Sequence, residues 1–126
     1  MDYARFITQV AGGSGLDGDR GDEATAAVLQ TLAARISGEE AQDLAAQLPG
    51  ELEPLLRDRG GGERFAADDF VDRVAAETGL DRESGERAIR AVLATVEEPV
   101  SGGAFADLVN ELPRDYDRLV APRARG

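Results

Sequence analysis

The chain repeats itself. A fixed, gap-free shift that lays Phe6 on Phe70 also pairs Val10 with Val74, Gly15 with Gly79, Asp17 with Asp81 and Val28 with Val92. It continues through Ser37/Ser101, Asp43/Asp107, Leu44/Leu108, Leu48/Leu112, Pro49/Pro113 and Leu55/Leu119. Chance would match roughly one position in ten at ordinary residue frequencies. The matches run far above that, so the chain is an internal duplication, with a first copy over 1–58, a linker over 59–64 and a second copy over 65–120. A half of this size is marginal as an independent fold, because too little of its surface is buried. The whole chain, 1–126, is therefore expected to fold as one domain, with a disordered tail over 121–126.

The periodicity within each copy is helical. Tyr3, Phe6, Ile7, Val10 and Ala11 mark one apolar helix face, repeated by Ala67, Phe70, Val71, Val74 and Ala75. Ala24, Ala27, Val28, Thr31 and Leu32 mark a second helix, repeated at Ala88, Ala91, Val92, Thr95 and Val96. A third face reads Ala41, Leu44, Ala45 and Leu48, with Phe105, Leu108, Val109 and Leu112 as its counterpart. Pro49 and Pro113 close these helices, because proline disfavours helical geometry in the residue before it. A short fourth turn then carries Leu52, Leu55 and Leu56, or Tyr116, Leu119 and Val120. Strand-like alternation is absent from the sequence. The expected fold is all-α: a helical bundle of two tandem pseudo-symmetric copies of about four helices each.

Local signals fix the helix ends. Gly15 and Gly79 read as left-handed C-caps, and Asp17 and Asp81 as turn or N-cap residues. Ser37 and Glu40 have capping-box spacing, which predicts that each side chain satisfies a free backbone N–H at the helix start. In the second copy Gly103 and Ala104 replace Glu39 and Glu40, which predicts a weaker start and easier fraying there. Pro99 in place of Arg35 predicts an early end to the second helix of that copy. Gly60, Gly61 and Gly62 read as a flexible hinge.

Composition excludes several chemistries. The chain has no Cys and no His, and its 14 basic residues are all Arg. Disulfides, thiolate metal sites, imidazole bases and Schiff-base lysines are thereby ruled out. No cofactor is expected. The net charge of −11 opposes binding to nucleic acid and to anionic membranes. An acidic, Lys-free surface suits a high-salt cytoplasm, as in a halophile, but GC-rich coding produces the same bias. The apolar stretches are too interrupted to span a bilayer or serve as a secretion signal, so a cytoplasmic location is expected.

Motif candidates are few. The acidic stretch Asp17 to Glu23 fails the calcium-loop pattern at Gly21, Asp22 and Val28, and reads as a solvated turn leading into a helix. Arg20-Gly21-Asp22 is a coincidental integrin-type tripeptide, and Gly12 to Gly15 lacks the strand and lysine of a phosphate loop. Asp43 and Asp107 stand out as mid-helix acids at matching positions, with Gln47 and Glu111 one turn later. Such a pair suits a cation site or acid/base chemistry, or else each Asp ties an Arg or a helix end and fixes the packing of the copies.

Three stretches carry a family resemblance: Arg90-Ala91-Val92-Leu93, the run Ser37 to Pro49 with its D-L-A-A-Q-L-P phrase, and Phe70 to Ala75. They resemble the prokaryotic family called domain of unknown function 2267, from about Tyr3 to Val120. The resemblance implies a small all-helical protein with two related halves and transfers no catalytic residue. The expected function is a non-enzymatic protein-interaction module, monomeric or homodimeric, with an unidentified protein partner. The alternative is a carboxylate-based metal-binding protein or enzyme built on Asp43, Gln47, Asp107 and Glu111. Convergence of these carboxylates in one concavity favours the alternative; an exposed apolar patch favours the interaction module.

Overall fold

The computed structural model describes residues 1–57 and 61–120. Seven α-helices and two 3-10 turns occupy them, and among the described residues there is no strand. The first copy supplies α1 (Tyr3–Ser14), α2 (Gly18–Arg35), α3 (Gly38–Gln47), a 3-10 turn at Gly50–Leu52 and α4 (Glu53–Arg57). The second supplies α5 (Ala67–Thr78), α6 (Arg82–Glu97), α7 (Gly102–Asn110) and a 3-10 turn at Arg114–Leu119. The chain is all-α. Its fourth element is a turn plus a short helix in one copy and a 3-10 turn alone in the other.

The ends fall where the residues require. Gly15 and Gly79 adopt φ of 77° and 76°, a left-handed geometry that costs glycine little, and each N–H reaches back to Ala11 or Ala75. Asp17 and Asp81 accept the N–H of Arg20 and Ser84 at 2.9 and 2.7 Å, capping α2 and α6. Ala66 has no side chain to cap α5, and Asp115 of the following 3-10 turn accepts the Ala67 N–H instead, at 2.8 Å. With Pro99 two residues beyond it, α6 ends at Glu97, the early stop the sequence predicts.

The copies interlock rather than sit side by side. Helix α1 packs on α2 and also on α6; α5 packs on α6 and also on α2; α3 lies against α4 and meets α7. Small residues allow the close approach: a Cβ on Gly13 would lie 3.2 Å from Ala91, and Gly21 and Gly85 each abut the neighbouring helix of their own copy. Thr31 and Thr95 turn their hydroxyls back onto Ala27 and Ala91, at 2.7 Å in both cases, so neither of these two buried hydroxyls lacks a partner. The buried apolar residues form one cluster drawn from both copies, including Phe6, Leu29, Leu44, Phe70, Leu93 and Tyr116. Burying a side chain of this size contributes about 1.5–3 kcal/mol, so neither half keeps its core intact alone.

The described part of the linker is fastened. Gly62 N–H donates to Ile36 O at 2.8 Å and Glu63 N–H to Ala34 O at 2.9 Å, which lays 61–63 along the end of α2. Gly61 has φ of 82°, and a Cβ there would lie 2.6 Å from Ile36 O. Glycine is thus required at Gly61 for a close backbone approach and at Gly62 for its φ of 78°, with open space around it. The expected tail, 121–126, and Gly60 lie outside the described residues.

Arg35 completes this joint. It is 8% exposed, donates from Nε to Phe65 O at 3.0 Å, and sets its guanidinium 5.6 Å from the Tyr116 ring centre. The Tyr116 hydroxyl donates to the same carbonyl at 2.7 Å, and burial pushes its pKa up to about 12. The aromatic faces of Phe65 and Tyr116 and one shared carbonyl hold this cation in the interior.

Candidate functional site

Helices α3 and α7 begin alike and are finished by each other. Ser37 accepts the Glu40 N–H and Ser101 the Ala104 N–H, both at 3.2 Å, as serine N-caps should. The backbone N–H of each cap residue then donates across the copies: Ser37 to Glu111 Oε1 at 2.9 Å, Ser101 to Gln47 Oε1 at 2.8 Å. The Ser37 hydroxyl adds a bond to Glu111 Oε2 at 3.1 Å.

This cross-over corrects the capping-box expectation. Glu40 was positioned to take the Ser37 N–H, but Glu111 of the other copy takes it, and in the second copy Gln47 does the work of the missing glutamate. The start of α7 is therefore capped on both counts, despite Gly103 and Ala104. Glu40 is left over. It is 8% exposed, and its Oε1 has no hydrogen-bond partner among the described residues.

Around this surplus carboxyl lies a cavity of about 390 Å³, lined by Ser37, Glu39, Glu40, Asp43, Asp107, Asn110 and Glu111. Both mid-helix aspartates are in its wall. Among the described residues neither carboxylate is tied to an Arg: the ion pairs are elsewhere, such as Arg82 with Asp72, Arg118 with Asp68 and Glu86, and Arg90 with Glu86. Gln47 is not part of the lining. The four predicted residues thus divide, with Gln47 and Glu111 joining helix ends across the copies and Asp43 and Asp107 left open to the cavity.

Electrostatics follow from the crowding. Burial pushes the Glu40 carboxyl above the ordinary carboxylate value, and the negative charges of Glu111, Asp43, Asp107 and Glu39 push it further in the same direction. Sequence reasoning missed Glu39 and Glu40 as site residues, since both sit in the first turn of α3, where acids are favoured by the helix dipole alone. The signal that could have found them was Glu111, an acid where the first copy has Gln47.

Among the described residues no group of three or more carboxylates is gathered as a metal would need, and no helix is long and apolar enough to cross a membrane. The sole exposed large apolar side chain among them is Met1. The fold and site define an all-helical protein with an acidic cavity between α3 and α7. The family described as uncharacterized conserved protein (DUF2267) matches residues 3–119, and the chain belongs to that family. No curated protein matches it.

Proposed function

We propose that this protein is a non-enzymatic binding module whose α3–α7 cavity receives a positively charged group. One observation carries the reading: five carboxylates, Glu39, Glu40, Asp43, Asp107 and Glu111, line a single concavity with no Arg in its wall. Like charges gathered this closely raise one another's cost of ionisation, and an entering cation relieves it. An apolar docking face has less support, because exposed apolar area is what such interfaces start from and Met1 alone offers it among the described residues. A carboxylate metal centre has less support too, since among the described residues no three of these acids are placed as metal ligands.

The test is equilibrium binding at low ionic strength, with calcium, argininamide and spermidine as probes, on the wild type and on Asp43→Asn/Asp107→Asn. Binding of at least one cation, weakened by salt and by the double substitution, is the expected result. No binding of any probe, or binding that the double variant leaves unchanged, overturns the reading.

A further inference from the structure

The geometry points to a proton-exchanging polyamine site, in which a linear polyamine enters the α3–α7 cavity and one ammonium group takes the place of the proton on Glu40. This rests on the cation-binding reading above and adds two things to it: the class of ligand and the role of one residue.

The class follows from how the charges are laid out. Glu39 and Glu40 are separated from Asp43, and Asp107 from Glu111 just past the end of α7, by about one helical turn, or roughly 4.5–6 Å of axial rise. Nitrogens joined by three- or four-carbon spacers stand about as far apart. The cavity volume of about 390 Å³ holds a chain of several such units and is far larger than one metal ion needs. Its wall is polar: Ser37, Asn110 and carboxylates, with no aromatic side chain to anchor a peptide.

The role of Glu40 is independent of the cluster as such. It is more than nine-tenths buried, it lines the cavity, and its Oε1 is unpartnered because Glu111 has taken the helix-end N–H that the Ser37–Glu40 spacing would otherwise give it. A buried carboxylate without a donor is costly. The charged side chains facing Glu40 are Glu39 and Asp43 on its own helix, Asp107 on α7 and Glu111 at its C-cap, all acidic, so beyond the helix dipole no positive group compensates its charge. In the free protein Glu40 holds its proton to a higher pH than it would in water, because of its burial and its acidic neighbours. An ammonium in the cavity supplies the positive charge that no side chain there provides; the carboxyl releases its proton to solvent and the resulting carboxylate pairs with the ammonium. Affinity therefore rises with pH through the Glu40 range, by at most about tenfold per pH unit for one proton released.

The experiment is calorimetric titration of the full chain with spermidine at several pH values, in two buffers of different ionisation enthalpy. Expected are buffer-dependent heats that report proton release by the wild type. Glu40→Gln should bind several-fold more weakly, with no release and a flat pH response. Asp107→Asn should bind more weakly yet still release a proton. Equal heats in both buffers, or the same release from Glu40→Gln, overturn the inference and leave the cation-binding reading intact. Binding of calcium but not spermidine overturns the ligand class alone. Silence from every cation removes both. The wild-type buffer comparison stands even if Glu40→Gln fails to fold.

Discussion

The starts of α3 and α7 share a backbone solution and differ in charge. At Ser37 the acceptor from the other copy is a carboxylate, Glu111; at Ser101 it is an amide, Gln47. The first site also has Glu39 and Glu40 in the opening turn of its helix, where the second has Gly103 and Ala104. A hydrogen-bonded joint tolerates either acceptor, because only the oxygen is required. The difference is therefore free to serve another end, and it leaves a surplus carboxyl on one side only.

The widest gap between the copies is at the end of the second helix, where Arg35 stands opposite Pro99. Arg35→Ala should lower stability by about 2–3 kcal/mol, through lost packing and a lost bond to Phe65 O, read by denaturant unfolding. The first helix start should be the more sensitive of the two: Ser37→Ala is expected to cost about 1–2 kcal/mol and Ser101→Ala about 1 kcal/mol, since Ser37 also donates its hydroxyl to Glu111. Equal losses would mean that the second acceptor oxygen of Glu111 contributes nothing. Glu111→Ala should cost about 1 kcal/mol and Gln47→Ala about half as much, both discounted for exposure to solvent.

The smallest and most diagnostic effect concerns pH. Because the folded-state pKa of Glu40 is raised, the folded chain binds the extra proton between the unfolded and folded values. Stability from this source is full below the ordinary carboxylate value and is lost as pH rises through the folded one. Glu40→Gln, which has no proton to lose, should melt at a higher temperature than wild type at neutral pH, and the difference should close as pH falls. A difference constant with pH would mean that Glu40 is not titrating in the folded protein.

Periodicity, caps and prolines made the helices legible in the sequence, because each signal is local: Gly15, Asp17, Ser37 and Pro99 act within a turn of themselves. The candidate site was legible only in half. Asp43 and Asp107 were conspicuous as acids in mid-helix, but the fate of Glu40 depends on Glu111, a residue from the other copy that competes for the same N–H. No window of sequence around Ser37 contains that competitor. The glycine run misleads for a related reason, since Gly61 looks like slack until Ile36 O is seen to occupy the space where its Cβ would be.

The crossed bonds between the copies have the form of an isologous contact: Ser37 meets Glu111 at the position matching Gln47, and Gln47 meets Ser101 at the position matching Ser37. In an assembly of two identical chains, symmetry duplicates every substitution, and an acid gained on one side is gained on both. Here a single polypeptide spans the contact. One side is free to be acidic while its twin stays neutral, a lopsidedness that one polypeptide can encode and two identical chains cannot.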